Sequence, residues 1–366
     1  MMTKFLFLPF TIVIVAAGVS FTEGSQYPAI FNFGDSNSDT GAISAAFTIV
    51  HPPNGQNFLG ALSGRYSDGR LIIDFITEEL KLPYLDAYLN SVGANYRHGA
   101  NFATGGSSIL KGGYSPFHLA YQISQFIQFK LRTQILFNGT EQHFRSSIPR
   151  PEDFSRALYM FDIGQNDLSY GFQYSSEEQL RASLPNILSQ FSQAVEQLYS
   201  EGARVFWIHN TGPIGCLPLN FLAYGKSKKG NVDANGCVIS QNGIAHEFNL
   251  QLKNQVLQLR KKLPLAKLIY VDVYKAKYEL VSNARKLGFV NPLEFCCGNY
   301  LGGYKISCGQ NTTESGTVSD KTCKNPSEFL SWDGVHYSEE ANLLIAKQIL
   351  SGAFSDPPVT IRQACF

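Results

Sequence analysis

The sequence predicts an α/β protein: a flavodoxin-like three-layer α/β/α sandwich around a central, mainly parallel five-stranded sheet. Two observations carry that expectation. Five short runs are rich in β-branched or aromatic residues, and four of them lead into turns of Gly, Asn or Asp. Stretches with helical periodicity fill the intervals between the runs. Strands alternating with helices imply βαβ units, whose crossovers cover both faces of a parallel sheet.

The expected strands are 29–33, 100–103, 157–163, 204–208 and 267–273. The first is followed by Gly34-Asp35-Ser36, the second by Thr104-Gly105-Gly106, and the third by Gly164-Gln165-Asn166-Asp167. His209-Asn210-Thr211-Gly212 follows the fourth. Apolar residues recur at helical spacing over 71–80, 119–131, 180–198, 244–263 and 339–354. No internal repeat or low-complexity linker interrupts the pattern. One domain is therefore expected over 25–366, with a Gly-, Cys-, Ser- and Thr-rich insertion at about 292–331.

Residues 1–24 read as a signal peptide. Lys4 supplies the positive start, 5–19 is almost wholly apolar, and small residues follow, with cleavage expected between about 20 and 25. An exported protein is the consequence. All seven cysteines lie in the second half of the chain, which in that setting reads as disulfides with one thiol left over. Cys216 with Cys237 is the best single pairing, because the two bracket one Gly/Lys-rich loop. Asn138 and Asn311 open glycosylation sequons. Cys296-Cys297 gives no chelating spacing, so neither a metal nor another cofactor is expected. Of 366 residues, 30 are Lys or Arg and 29 are Asp or Glu. A net charge of +1 argues against a general electrostatic grip on nucleic acid or an anionic membrane. No stable membrane insertion is expected, and a monomer is.

In open α/β sheets, ligands bind outside the carboxyl ends of the strands. Ser36, Gly106 and Asn166 each follow an expected strand, and Asp333-Gly334-Val335-His336 stands just before the last helix. These residue types suit acyl transfer. A Ser36 hydroxyl needs a neighbouring base, and His336 has the right proton affinity for that task. Asp333 can fix its tautomer and stabilise the imidazolium. The backbone N–H groups of Ser36 and Gly106, with the Asn166 side-chain amide, can stabilise an oxyanion. Each short motif alone is more often a turn. Their order and shared placement make the case.

Gly34-Asp35-Ser36 within 31–41 resembles block I of plant GDSL esterase/lipases. Residues 99–106 resemble block II, Ile163-Gly164-Gln165-Asn166-Asp167 block III, and Trp332-Asp333-Gly334-Val335-His336 block V. Residues 63–70 and 211–218 are also similar to that family. The subgroup looks like the early-nodulin and α-fucosidase-like branch. The resemblance spans about 28–354 and implies an SGNH hydrolase fold. It also implies Ser36 as nucleophile, Asp333 and His336 as its partners, and Gly106 and Asn166 as oxyanion donors, with Gly105 a close competitor of Gly106. A secreted esterase of the cell wall or apoplast is the leading expectation. The alternatives are an acyltransferase using an alcohol acceptor, an α-fucosidase-like glycosidase, and a non-catalytic carbohydrate-binding or defence protein. The substrate, whether a small-molecule or a polysaccharide ester, is left open.

Overall fold

The computed structural model describes residues 27–58, 63–139, 142–225, 231–301, 304–309 and 322–365. The expected signal peptide and Asn311 lie outside them.

The central sheet is built from β1 (Ile30–Gly34), β2 (Gly99–Asn101), β3 (Leu158–Asp162), β4 (Val205–His209) and β5 (Lys267–Val271), all parallel. A small hairpin, β6 (Asn299–Leu301) and β7 (Tyr304–Ile306), stands apart. The two-residue β8 (Ser355–Asp356) pairs antiparallel with β5. The sheet order is β2-β1-β3-β4-β5-β8. Among the described residues the sheet thus has six strands where the sequence suggests five. The sixth is too short to show a period and exists only through its pairing with Tyr270 and Val271.

Among the described residues ten α-helices connect and cover the strands: α1 (Ala42–Ala46), α2 (Ile72–Glu79), α3 (Leu119–Asn138), α4 (Asp153–Arg156), α5 (Gln165–Tyr174), α6 (Glu177–Ser200), α7 (Pro218–Asn220), α8 (Ile239–Lys262), α9 (Val273–Ser282) and α10 (Glu339–Leu350). Two have plain local causes. Ser176 caps α6 by accepting from the Gln179 N–H, while Gln179 reaches back to the Ser176 N–H. Ser338 caps α10 through the Ala341 N–H, with Glu339 and Glu340 in its first turn. The expected fifth strand, 267–273, stops two residues early because the Asp272 carboxylate accepts the Lys275 N–H and starts α9.

Every residue of β1, β3 and β4 is buried, as expected of strands covered on both faces. Phe33 shows the packing: it stacks on Phe102 at 5.4 Å and on Phe161 at 5.4 Å. Cys216 is bonded to Cys237, as expected. Cys296–Cys323 and Cys297–Cys308 pin the loop that carries the hairpin, and Cys365 is in none of the three bridges. Among the described residues no helix is long and apolar enough to cross a membrane. The strand order reverses around β1, whose neighbours are β2 and β3. The crevice beyond their carboxyl ends is the ligand position that this topology favours.

Candidate active site

The loop after β1 is held from both sides. The Gly34 N–H donates to Gln122 Oε1 at 3.0 Å, and the Gly34 carbonyl accepts from Gln122 Nε2 at 2.8 Å. A Cβ at Gly34 would fall 2.6 Å from the Asp162 carbonyl, so only glycine fits this exit from the sheet. Asp35 turns inward and accepts from the backbone N–H and the side-chain amide of Asn37, both at 2.9 Å. Ser36, half-buried, is left facing the crevice. Among the described residues no acceptor faces its N–H.

The loop before α10 comes to meet it. His336 Nε2 lies 2.8 Å from Ser36 Oγ, across 300 residues of sequence. His336 Nδ1 lies 2.8 Å from Asp333 Oδ2. The other Asp333 oxygen accepts the N–H groups of His336 at 2.7 Å and Val335 at 2.9 Å. Burial alone would push the Asp333 carboxyl up. The charge of His336, Lys305 at 3.6 Å and the His336 hydrogen bonds outweigh it and hold the group well below the usual carboxylate range. The Tyr66 ring stacks on the imidazole at 5.0 Å.

The turn after β2 supplies the third side. Asp39 Oδ2 accepts the N–H groups of Gly105 at 2.8 Å and Ile43 at 3.2 Å. Its Oδ1 accepts those of Gly41 at 2.8 Å and Ala42 at 2.6 Å. The Gly105 N–H is therefore engaged. The next N–H, that of Gly106, meets no acceptor among the described residues. Gly106 has φ +76°, a left-handed conformation that favours glycine. The Asn166 amide, in the first turn of α5, donates to the Ser107 carbonyl at 2.9 Å, and its second N–H is available. Asp167 ties the same turn to the loop after β2 by accepting the N–H groups of Ile109 at 2.7 Å and Leu110 at 3.0 Å.

Ser36, Asn166 and His336 thus line one crevice, with Asp333 bonded to His336 and Gly106 next to the Ser107 carbonyl that holds the Asn166 amide. Asn138, the described sequon, is exposed at the end of α3. Several neighbours carried no sequence signal. Beneath Ser36, the ends of β1, β3 and β4 and the helix α9 bring together Asp35, Asp162, His209 and Lys277, all buried. His209 Nδ1 lies 3.4 Å from Asp162 Oδ2. Burial and the Asp162 charge push the Asp35 carboxyl up to about 7, against Asn37 and Lys277. Beside His336 opens a groove of ≈ 660 Å³, walled by Ile43, Ile49, Val50, Tyr66 and Cys308. Lys305 is an ordinary residue in sequence and Tyr66 sits in the family-like stretch 63–70, but only their position beside the His336–Asp333 pair marks these two side chains.

A three-layer sandwich with hydroxyl, imidazole and carboxylate in one line at its strand ends has the make-up of an SGNH-type ester hydrolase. The family model and the esterase relatives agree on that class. The model of the GDSL-like lipase/acylhydrolase family matches residues 30–349. A GDSL esterase/lipase of Arabidopsis thaliana is 51% identical over 100% of this chain and 96% of its own length. One of Zea mays is 48% identical over 93% of this chain and 89% of its own. An Arabidopsis thaliana protein named alpha-L-fucosidase 3 is 46% identical over 89% of this chain and 91% of its own. Among solved structures, an acetylxylan esterase from Geobacillus stearothermophilus superposes with TM-score 0.41 at 11% identity, over 89% of this chain and 93% of that one. The chain belongs to the GDSL-like lipase/acylhydrolase family, and it is a carboxylic-ester hydrolase.

Proposed function

We propose that the chain hydrolyses carboxylic esters through an acyl-enzyme on Ser36, with His336 as the base, Asp333 as its orienting partner, and Ser36, Gly106 and Asn166 as oxyanion donors. The observation that carries the reading is the continuous line from Ser36 Oγ through both imidazole nitrogens to Asp333, with 2.8 Å at each step. A hydroxyl so placed can lose its proton to Nε2 as it attacks the ester carbonyl. The ionised Asp333 stabilises the imidazolium that results. The negative charge that builds on the carbonyl oxygen meets the Ser36 and Gly106 N–H groups and the spare Asn166 N–H. The imidazolium then returns its proton to the departing alcohol. Water, activated by the same ring, releases the acid.

The three disulfides support an oxidising compartment, and with the apolar leader they support secretion of 25–366 as one domain. Exposure of Asn138 supports its glycosylation. A glycosidase reading, raised by the name of one relative, finds less support. Glycoside cleavage uses two carboxylates about 5–10 Å apart flanking the bond. Here the Asp39 oxygens serve backbone N–H groups, and Asp333 serves His336.

Ser36→Ala is expected to lower kcat on p-nitrophenyl acetate by about 10⁴-fold or more, with an unchanged melting temperature. Activity within tenfold of the parent enzyme would refute the assignment.

A further inference from the structure

A ridge of tyrosines leads away from the oxyanion donors. Along α5, Asn166, Tyr170 and Tyr174 recur every fourth residue and so share one helix face. From Asn166 to Tyr174 that face runs ~12 Å. Tyr114 joins it from the loop after β2. A Cβ on Gly106 would stand 3.3 Å from the Tyr114 Cβ, so the ridge begins beside Gly106. The Tyr114 and Tyr170 rings meet edge-on at 5.3 Å, and Tyr170 and Tyr174 lie at 4.4 Å. Tyr114 is 46% exposed and Tyr174 60%, high for aromatic residues with no core to fill.

The chemistry of the ridge restricts its occupant. Phenols aside, α5 carries one ionisable side chain, Asp167, and its oxygens are turned onto the Ile109 and Leu110 N–H groups. On the α5 side the rings are therefore bordered by neutral polar groups. Tyr114 donates to Gln173 Oε1 at 2.9 Å and lies 3.3 Å from Ser169 Oγ. A fatty acyl chain is best served by an unbroken apolar wall, and an anionic ligand by cations. A pyranose ring offers a C–H face edged by hydroxyls, which matches an aromatic face edged by amide and hydroxyl groups.

We propose that Tyr114, Tyr170 and Tyr174 form a stacking subsite for neutral sugar rings, so that the ester delivered to Ser36 is carried on a polysaccharide. The direction of delivery rests on Ser36 being the nucleophile. Sugar binding itself does not, and the test separates the two.

The full-length Ser36→Ala protein is titrated with xylohexaose, cellohexaose and mannohexaose by calorimetry. At least one hexaose is expected to bind. Adding Tyr174→Ala or Tyr170→Ala weakens that binding by about tenfold, while Tyr174→Trp restores it. In the active enzyme, Tyr174→Ala lowers by a similar factor the ratio of kcat/KM on acetylated xylan or mannan to that on p-nitrophenyl acetate. The titration stands even if Ser36→Ala proves active, so failure of the nucleophile assignment is read separately. Absence of hexaose binding, or binding indifferent to Tyr174→Ala, overturns the subsite. A loss confined to p-nitrophenyl dodecanoate also overturns it, because the ridge would then carry an acyl chain.

Discussion

A carboxylate three residues ahead of a histidine can orient that ring only if the intervening backbone folds back on itself. Asp333 brings this about by accepting the Val335 and His336 N–H groups on one oxygen, which leaves the other for Nδ1. The tautomer with a proton on Nδ1 is the one that leaves Nε2 free to accept from Ser36. An amide in place of the carboxylate would present a donor to Nδ1 and favour the opposite tautomer. Asp333→Asn is therefore expected to lower kcat on the order of 10⁴-fold with little change in KM. Steady-state kinetics on p-nitrophenyl acetate, with circular dichroism to verify the fold, checks this. All of these residues carry a visible sequence mark, the Asp-x-x-His spacing ahead of a helix. Tyr66 lies in a stretch similar to the family, but nothing in that similarity marks its stacking against the imidazole.

At the scale of elements, the site is a junction of four segments, and buried carboxylates hold them together. Asp39 gathers four N–H groups, three from the start of α1 and one from Gly105 after β2. By engaging the Gly105 N–H it leaves the Gly106 N–H as the one without an acceptor among the described residues, a choice that the sequence leaves open. An Asn at this position would turn one donor toward another and could satisfy only part of the set. Asp39→Asn is expected to cost about 1–3 kcal/mol of stability and about 10²–10³-fold in kcat, as the Gly106 N–H shifts. Chemical denaturation and kinetics measure the two effects. The helix α5 shows why some elements escape a reading by pattern. Its first turn is Gln165-Asn166-Asp167, polar residues that read as a loop, and it becomes helical because Asn166 and Asp167 bond across to the β2 turn.

Across the whole molecule, three strand ends and the helix α9, far apart in sequence, bury Asp35, Asp162, His209 and Lys277 together below the crevice. The cluster gives folding stability a pH dependence. An acid whose folded value is raised contributes stability that is fully present below its unfolded value of about 4 and lost as pH rises through the folded value. Asp35, at about 7, belongs to this class, and so does Asp167, which burial pushes to about 7 against its backbone bonds. The depressed Asp333 has the opposite sign: its contribution is present above about 4 and lost in strong acid. The melting temperature is therefore expected to fall as pH is raised from 5 to 8, and Asp35→Asn to flatten that decline by a few degrees. Scanning calorimetry across that range checks it. An Asp35→Asn curve parallel to the parent's would show that Asp35 does not titrate there.

Five parallel strands, the long covering helices, the Cys216–Cys237 bridge and the candidates Ser36, Asn166, Asp333 and His336 were legible in the sequence alone. Periodicity, turn residues and short motifs are local properties, written within a few positions of one another. Only the tertiary structure decided the antiparallel sixth strand, which of the Gly105 and Gly106 N–H groups is engaged, the buried cluster with Lys277, and the tyrosine ridge beside Gly106. Each of these depends on which groups meet after the chain has crossed the sheet, and the distance between positions in sequence carries no record of that meeting.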